Sequence, residues 1–341
     1  MSSRRATISD VANAVGISIG AVSRILNKDP SLNVREETRE AVLRKIAELG
    51  YSPNPHARSL RTARTGSLAM ILPEIHSPAF AAMIQGAQKA AHERGYSMLL
   101  GGVGPDGDDP ELPARLLEKN RVDGFLITAG RRETEAFAAL RDLDAPYVLL
   151  NRYRDEEQPH VVLDDTGGVL AVVRHLTDLG HRRIGFLGPS ERFLGIRRLA
   201  GYKAALEEVG VALDPALIVD TGYFREGGET GLEQLLRLPS PPTAVFATNH
   251  LVAAGAIVAA GRHGLSVPAD LSIASFYDGP VAELLQPPLT AVRYPLEDLG
   301  YRATSILIDL VEGRSVTETN VVLPYEAVVI RGSTGPVRAS R

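Results

Sequence analysis

The side chains with the clearest chemical use lie near the N-terminus. Arg24 carries a guanidinium fork that can meet guanine O6 and N7 together or bind a phosphate. Just before it, Ile19, Gly20 and Ser23 stand where the start of a short helix would meet base edges, and Ile19 can touch a thymine methyl. Thr7, Ser18 and Asn27 offer short polar groups placed for the phosphate backbone. Together they make a surface for reading duplex DNA, against the plainer alternative of a three-helix cap with no nucleic-acid role.

Other chemistries lack their residues. There is no cysteine, which removes disulfides, thiolate zinc sites, iron–sulfur clusters and a cysteine nucleophile at once. No histidine pair at ligand spacing, P-loop, dinucleotide fingerprint or set of paired acids is present, so neither an enzyme nor a cofactor or metal is expected. Gly16-Ile17-Ser18-Ile19-Gly20 matches the nucleophile-elbow pattern of hydrolases, but that motif needs a buried strand before it and a polar-faced helix precedes it here. Asp164-Asp165 reads as the cap of a helix opening at Thr166.

The DNA-reading residues need a scaffold, and the local pattern supplies one over residues 1–50. Thr7 caps a helix with Asp10 three residues on, and Ile8, Val11, Ala12 and Val15 share one face. Gly16 suits a left-handed turn, and Ser18 caps a second helix that turns Ala21, Val22, Ile25 and Leu26 inward. A third helix, Arg35 to Leu49, presents Ala41, Val42, Ile46 and Leu49 as the burying layer and stops at Gly50. Residues 51–64 form a linker in which Asn54 caps a short helix opened by Pro55. Alone that helix is too short to be stable, and DNA contact would offset its nucleation cost. Leu60 is then an apolar wedge for a minor-groove base step, with Arg61 among the flanking arginines on the phosphates; the alternative is that Leu60 covers the lobe below.

Charge follows the same division. The chain carries −4 overall, but residues 1–64 hold five more basic than acidic side chains and the remainder nine more acidic than basic. A basic module on a phosphate-repelling body suits a nucleic-acid partner. No secretory leader and no stretch approaching ~20 apolar residues is present, so the expected compartment is the cytoplasm, with no membrane partner.

Residues 65–341 alternate short apolar runs with amphipathic helices: Leu68–Leu72, Phe80–Arg94, Met98–Leu100, Glu111–Lys119, Phe125–Ile127, Thr134–Leu143 and Tyr147–Leu150. A second series runs through Ile184–Leu187, Gly201–Val209, Leu217–Val219, Gly228–Leu236, Ala244–Phe246, Val252–Ala260 and Ile273–Phe276. The alternation predicts parallel sheets in two doubly wound lobes. Their expected bounds are 65–162 with 293–321, and 163–292 with 322–335. Ligands in such sheets sit beyond the carboxyl ends of the strands, so a cleft between lobes is the expected small-molecule site. Phe80, Thr128, Asn151, Arg198, Phe224, Asn249 and Tyr277 all lie at strand ends or following helix starts. Arg198, expected to open a helix, is placed for a ligand hydroxyl or carboxylate, with a surface ion pair as the plain alternative. For the aromatics the plain alternative is core packing.

Thr7-Ile8-Ser9-Asp10-Val11-Ala12, Gly16-Ile17-Ser18, Val22-Ser23-Arg24-Ile25-Leu26-Asn27 and Leu49-Gly50-Tyr51-Ser52-Pro53-Asn54 resemble the lactose-repressor and galactose-repressor family across essentially the whole chain. The resemblance implies an all-α helix-turn-helix head, an α/β body of the periplasmic-binding-protein type, and a ligand-responsive repressor. It implies a homodimer on pseudo-palindromic operator DNA, whose hinge helices insert the residue matching Leu60. It also implies an effector clasp at Arg198 and Asn249, with Phe80 and Phe224 stacking. Three departures stand out: His250 where an aspartate commonly follows Asn249, Tyr277 where a sugar-clasping aspartate commonly follows the Phe276 position, and Tyr294 in place of a glutamine near the third crossover. The usual hydroxyl cap of the third helix falls on Arg35, leaving Asn33 or no cap. A tyrosine can stack on a sugar face or planar ring but cannot accept paired hydroxyl hydrogen bonds. The effector is therefore expected to be a sugar or sugar derivative, with a nucleoside or other cyclic metabolite open. No leucine heptad follows Ile330, so a dimer is expected rather than a tetramer. The rival reading is a solute-binding protein of the same two-lobed fold.

Overall fold

The computed structural model describes residues 6–26, 29, 31–51, 64–72, 78–102, 112–118, 121–128, 145–153, 157–190 and 193–338. The chain forms two compact units, Met1–Gly66 and Ser67–Arg341.

The first unit holds α1 (Ile8–Val15), α2 (Ile19–Leu26) and α3 (Glu36–Leu49). Val11, Ala12, Val22, Ile25 and Val42 form its core, with Ile8, Val15, Leu26 and Ile46 packed around them. Leu49 departs from expectation: it is 40% exposed, and Tyr51 joins the core instead. The N-cap of α3 is Arg35 with no side-chain cap hydrogen bond, so Asn33 does not supply one. Glu36 and Glu37 in the first turn place negative charge at the positive end of that helix.

The second unit opens with β1 (Ser67–Leu72), α4 (Pro78–Glu93), β2 (Ser97–Gly102), α5 (Leu112–Glu118), β3 (Phe125–Ile127), β4 (Tyr147–Leu150) and β5 (His160–Leu163). It continues with α6 (Asp165–Asp178), β6 (Ile184–Leu187), α7 (Phe193–Glu208), β7 (Ile218–Val219), α8 (Arg225–Leu236), β8 (Ala244–Ala247), α9 (His250–Arg262), β9 (Ser272–Ser275) and α10 (Pro280–Leu284). It ends with β10 (Thr290–Arg293), α11 (Leu296–Val311), β11 (Asn320–Leu323) and β12 (Ala327–Val329). One sheet has the order β11-β5-β4-β3-β1-β2, the other β12-β10-β9-β8-β6-β7. All pairings are parallel except β10 with β12, which is antiparallel. The central parallel strands β1, β3, β4, β5, β6 and β8 are largely buried and mostly apolar, as expected where helices cover both faces of a sheet.

The sheet membership moves the expected lobe bounds. Leu163 ends β5 in the first sheet and Arg293 ends β10 in the second, while Val322 and Leu323 stay with the first sheet beside β5. The chain therefore crosses at 164, 294–295 and 324–326, and Tyr294 lies at the second crossing rather than the third. The reason is physical: β5 and β10 are four-residue strands with no period-two alternation, so periodicity does not fix where they end. The expected helix Thr134–Leu143 lies outside the described residues.

Candidate DNA-reading face and effector cleft

In the first unit, the turn between α1 and α2 is built from local hydrogen bonds. The Thr7 hydroxyl accepts from the Asp10 amide at 3.3 Å and the Thr7 amide donates to the Asp10 carboxylate at 2.8 Å, a reciprocal capping box. Gly16 closes α1 with φ 76°, and the Ser18 hydroxyl accepts from the Ala21 amide at 3.2 Å to open α2. Burial of Val22 and Ile25 leaves the opposite face of α2 outward. Ile19, at the first turn of α2, is 49% exposed. Ser18 and Gly20 are also exposed, and Ser23 is half-buried.

Arg24 is exposed but tethered. Its Nε donates to Asp29 Oδ2 at 2.8 Å and one Nη to Ser31 Oγ at 2.9 Å, while Ser31 in turn donates through its amide and hydroxyl to Asp29 Oδ1. The hydrogen bonds from Ser31, with that from Arg24, bring the Asp29 carboxyl down to about 2. Three of the five guanidinium N–H groups remain for a partner, in a side chain whose direction is already set. Asn27, Asn54, Leu60 and Arg61 lie outside the described residues.

In the second unit, the expected effector residues converge unevenly. Arg198, in the second turn of α7 rather than at its start, is 1% exposed. Its Nε donates to Asp165 Oδ1 at 3.0 Å, one Nη to the Thr248 carbonyl at 2.9 Å and the other to the Tyr277 hydroxyl at 2.8 Å. The guanidinium also lies 3.9 Å from the Phe276 ring centroid. The surface ion pair that stood as the plain alternative is not what forms: the pair with Asp165 is fully buried, because α7 begins earlier than the apolar pattern alone indicates. Arg197 donates to the other Asp165 oxygen at 3.3 Å and to Tyr153 and the Leu163 carbonyl, both at 3.0 Å. Burial opposes charge at this centre and pushes the Asp165 carboxyl up, against the pull of both arginines; it also opposes charge on Arg198, which Tyr277 and Asp165 nevertheless hold above its ordinary range.

Asn151 and Tyr277 complete this cluster. The Asn151 amide donates to the Tyr277 hydroxyl at 3.0 Å across the lobe boundary, joining the end of β4 to the end of β9. Both residues have positive φ, 58° and 62°, and among the described residues no other non-glycine does. Such backbone costs about 1–3 kcal/mol each and collects where side chains must be aimed. Asn249 caps α9 through the Val252 amide at 2.8 Å and reaches the Tyr223 carbonyl at 2.9 Å. Thr128 is spent on the Ile71 carbonyl at 2.9 Å, Phe80 packs against the large core, and Phe224 is 42% exposed at the N-cap of α8. The structure therefore brings Asn151, Arg198 and Tyr277 into direct contact and leaves Phe80, Thr128 and Phe224 outside that contact.

Sequence reasoning missed Asp165, the counter-ion at the centre. Asp164 does cap α6, accepting from the Gly167 amide at 2.9 Å, but Asp165 turns to the arginines. The signal was the doubled aspartate: one cap needs one carboxylate. Tyr294, one of the departures, donates to the Asp164 carbonyl at 2.9 Å, tying the second crossing to the first; Gly168 leaves the space its hydroxyl fills. His250 is buried with Nε2 unpartnered, and Asn151 Oδ1, Thr248 Oγ1 and Ser275 Oγ also lack partners. All four sit at or just after the carboxyl ends of β4, β8 and β9, the edge that ligands use in such sheets. A cavity of about 280 Å³ is lined by His250 together with Pro78, Ala79, Tyr277, Tyr294 and neighbouring residues.

Comparison with known proteins assigns these two regions. The model for bacterial regulatory proteins of the lacI family matches residues 7–54, and that for a periplasmic binding protein-like domain matches residues 173–334. The HTH-type transcriptional repressor CytR of Escherichia coli (strain K12) is 34% identical over 96% of both chains. The chain belongs to the lacI family. A solved complex of the transcriptional regulator CelR with cellobiose shares 31% identity at a TM-score of 0.74, covering 96% of this chain and all of that one. The Lac repressor dimer bound to operator and the anti-inducer ONPF shares 26% at 0.83, covering 97% of this chain and all of that one. As a LacI-family member the protein is a ligand-responsive, DNA-binding transcriptional regulator, not an enzyme. Its head carries the family's helix-turn-helix and its body the two parallel α/β lobes. Among the described residues no helix is long and apolar enough to cross a membrane.

Proposed function

We propose that the protein is a repressor that binds a pseudo-palindromic operator as a homodimer and releases it when a sugar or related polyhydroxyl effector enters the cleft between the lobes. Ile19, Gly20, Ser23 and Arg24 read base edges in the major groove, while Thr7, Ser18 and Asn27 hold phosphates. Asn54, Leu60 and Arg61 form a hinge element that acts in the minor groove. The observation that carries the reading is Ile19, half exposed at the first turn of α2 beside the pre-aimed Arg24 fork.

The effector reading rests on the contact of Asn151, Arg198 and Tyr277 and on Asn249, which follows Thr248, whose carbonyl accepts from Arg198; Phe80, Thr128 and Phe224 are its outlying candidates. Asn151 belongs to one lobe and Arg198 and Tyr277 to the other, so a ligand that engages this cluster changes how the two lobes are held and with it the presentation of the heads. A coupling of about 1–3 kcal/mol changes operator affinity ~5–150-fold, enough for regulation. Selection of the full-length chain against a random duplex library is the test. Enrichment of inverted repeats is expected; a bound pool indistinguishable from the input removes the DNA-reading assignment. Stabilisation by sugars or nucleosides in a thermal-shift screen identifies the effector, since a ligand that binds the native state raises its apparent stability.

A further inference from the structure

The clamp that would hold an effector is occupied by a side chain of the protein itself. The Tyr277 hydroxyl accepts from Arg198 at 2.8 Å and from Asn151 at 3.0 Å, which uses both of its lone pairs. These are the two donors an effector oxygen would meet, one from each lobe. The arrangement is costly in two ways. Asn151 and Tyr277 both adopt left-handed backbone to make it, and Asn151 Oδ1, Thr248 Oγ1 and Ser275 Oγ are left buried without partners. An occupant that brought donors as well as an acceptor would satisfy groups that a phenol oxygen does not.

The displaced ring has somewhere to go. The cavity of about 280 Å³ beside Tyr277 exceeds the ~150 Å³ that holds a benzene ring in an engineered core. Its walls include Pro78, Ala79, Pro280, Val281 and Leu296, and His250, buried with Nε2 unpartnered, also lines it as a partner for a phenol hydroxyl.

We propose that Tyr277 is an internal occupant of the effector clamp: its phenolic oxygen bridges Arg198 and Asn151, latches the two lobes together in the unliganded chain, and is displaced into the neighbouring cavity when an effector binds. The effector then supplies an acceptor to Arg198 and a donor to Asn151 Oδ1, a demand that vicinal hydroxyls meet and a bare carboxylate does not. This regulation rests on the effector reading of the cleft given above. It makes Tyr277 a determinant of which ligands succeed, because each must outcompete an intramolecular group.

The absence of cysteine makes the test direct. Spin labels on Arg302→Cys in α11 and Lys203→Cys in α7, both exposed and one in each lobe, report lobe separation in the full-length chain diluted with unlabelled protein. Pulsed dipolar spectroscopy without ligand is expected to give one short separation with Tyr277 present. Tyr277→Phe, and independently Asn151→Ala, should shift it longer by several ångströms and broaden it, with thermal melts establishing that each variant is folded. An unchanged distribution in either folded variant overturns the latch; should one variant not fold, the other decides. The operator reading fails separately, through library selection of the unaltered chain, whatever the lobe separation proves to be.

Discussion

The head and the cleft use polar chemistry in opposite ways. In the head, the described polar groups Thr7, Ser18 and Arg24 depend on neighbours within a few positions: Thr7 with Asp10, Ser18 with Ala21, Arg24 with Asp29 and Ser31. The side chains that would touch DNA are left at the surface, and their energetic cost is small because water solvates them. In the cleft, Arg198, Asp165 and Tyr277 are brought together from three separated segments and sealed from water. Recognition in the first region is prepared by local geometry; in the second it is prepared by tertiary structure and held under strain.

The comparison is broken most sharply at Asp165. Asp165→Asn leaves two arginines around a buried site without their counter-ion, and a loss of about 3–5 kcal/mol in denaturant unfolding of the body is expected. A change below ~1 kcal/mol, the scale of an exposed pair, would show that the cleft is no more demanding than the surface.

The next effect is a pH dependence of the body. Burial brings His250 down to about 4 from 6.5, and His175 and His181 are lowered by burial as well. A histidine depressed in the native state takes up its proton first in the unfolded chain. Stability therefore falls as pH drops through 6.5 toward 4, and is fully retained above 6.5. At ~1.36 kcal/mol per unit, His250 alone contributes up to about 3 kcal/mol of that loss. His250→Gln should flatten the profile between pH 6.5 and 4, and an unchanged slope would place the titration elsewhere.

How much of this was legible follows the same division. Both caps and the glycine turn of the head could be read from Thr7, Asp10, Gly16 and Ser18, because a cap is a relation between residues three apart. Most strands and helices of the body could be read from their periodicity. What could not be read was which polar partners would meet. Asp165 and Arg198 are brought together by the packing of α6 on α7, and Tyr277 joins them from the end of β9, two strands away from β6, relations that no local spacing encodes. The first crossing was blurred for a related reason: β5 is short and unalternating, so its end could not be fixed to the residue.

Two smaller effects sharpen the contrast from the side of the head. Thr7→Ala removes the capping box and is expected to lower stability of that unit by about 1 kcal/mol, read from its thermal midpoint. Ile19→Ala should alter stability by no more than ~0.5 kcal/mol while weakening binding to the selected operator. A large stability loss at Ile19 would mean that the side chain serves the fold rather than a partner.

The most direct measurement compares the affinity of the full-length chain for its selected operator with that for a scrambled duplex of equal length, at one salt concentration, before and after replacing Ile19 and Arg24 by alanine. If α2 reads bases, the ratio of the two affinities falls by at least ~5-fold, the equivalent of about 1 kcal/mol of discrimination, while scrambled-duplex binding changes little. Equal weakening on both duplexes, with the ratio intact, would mean that these side chains only neutralise phosphates and that sequence is read elsewhere.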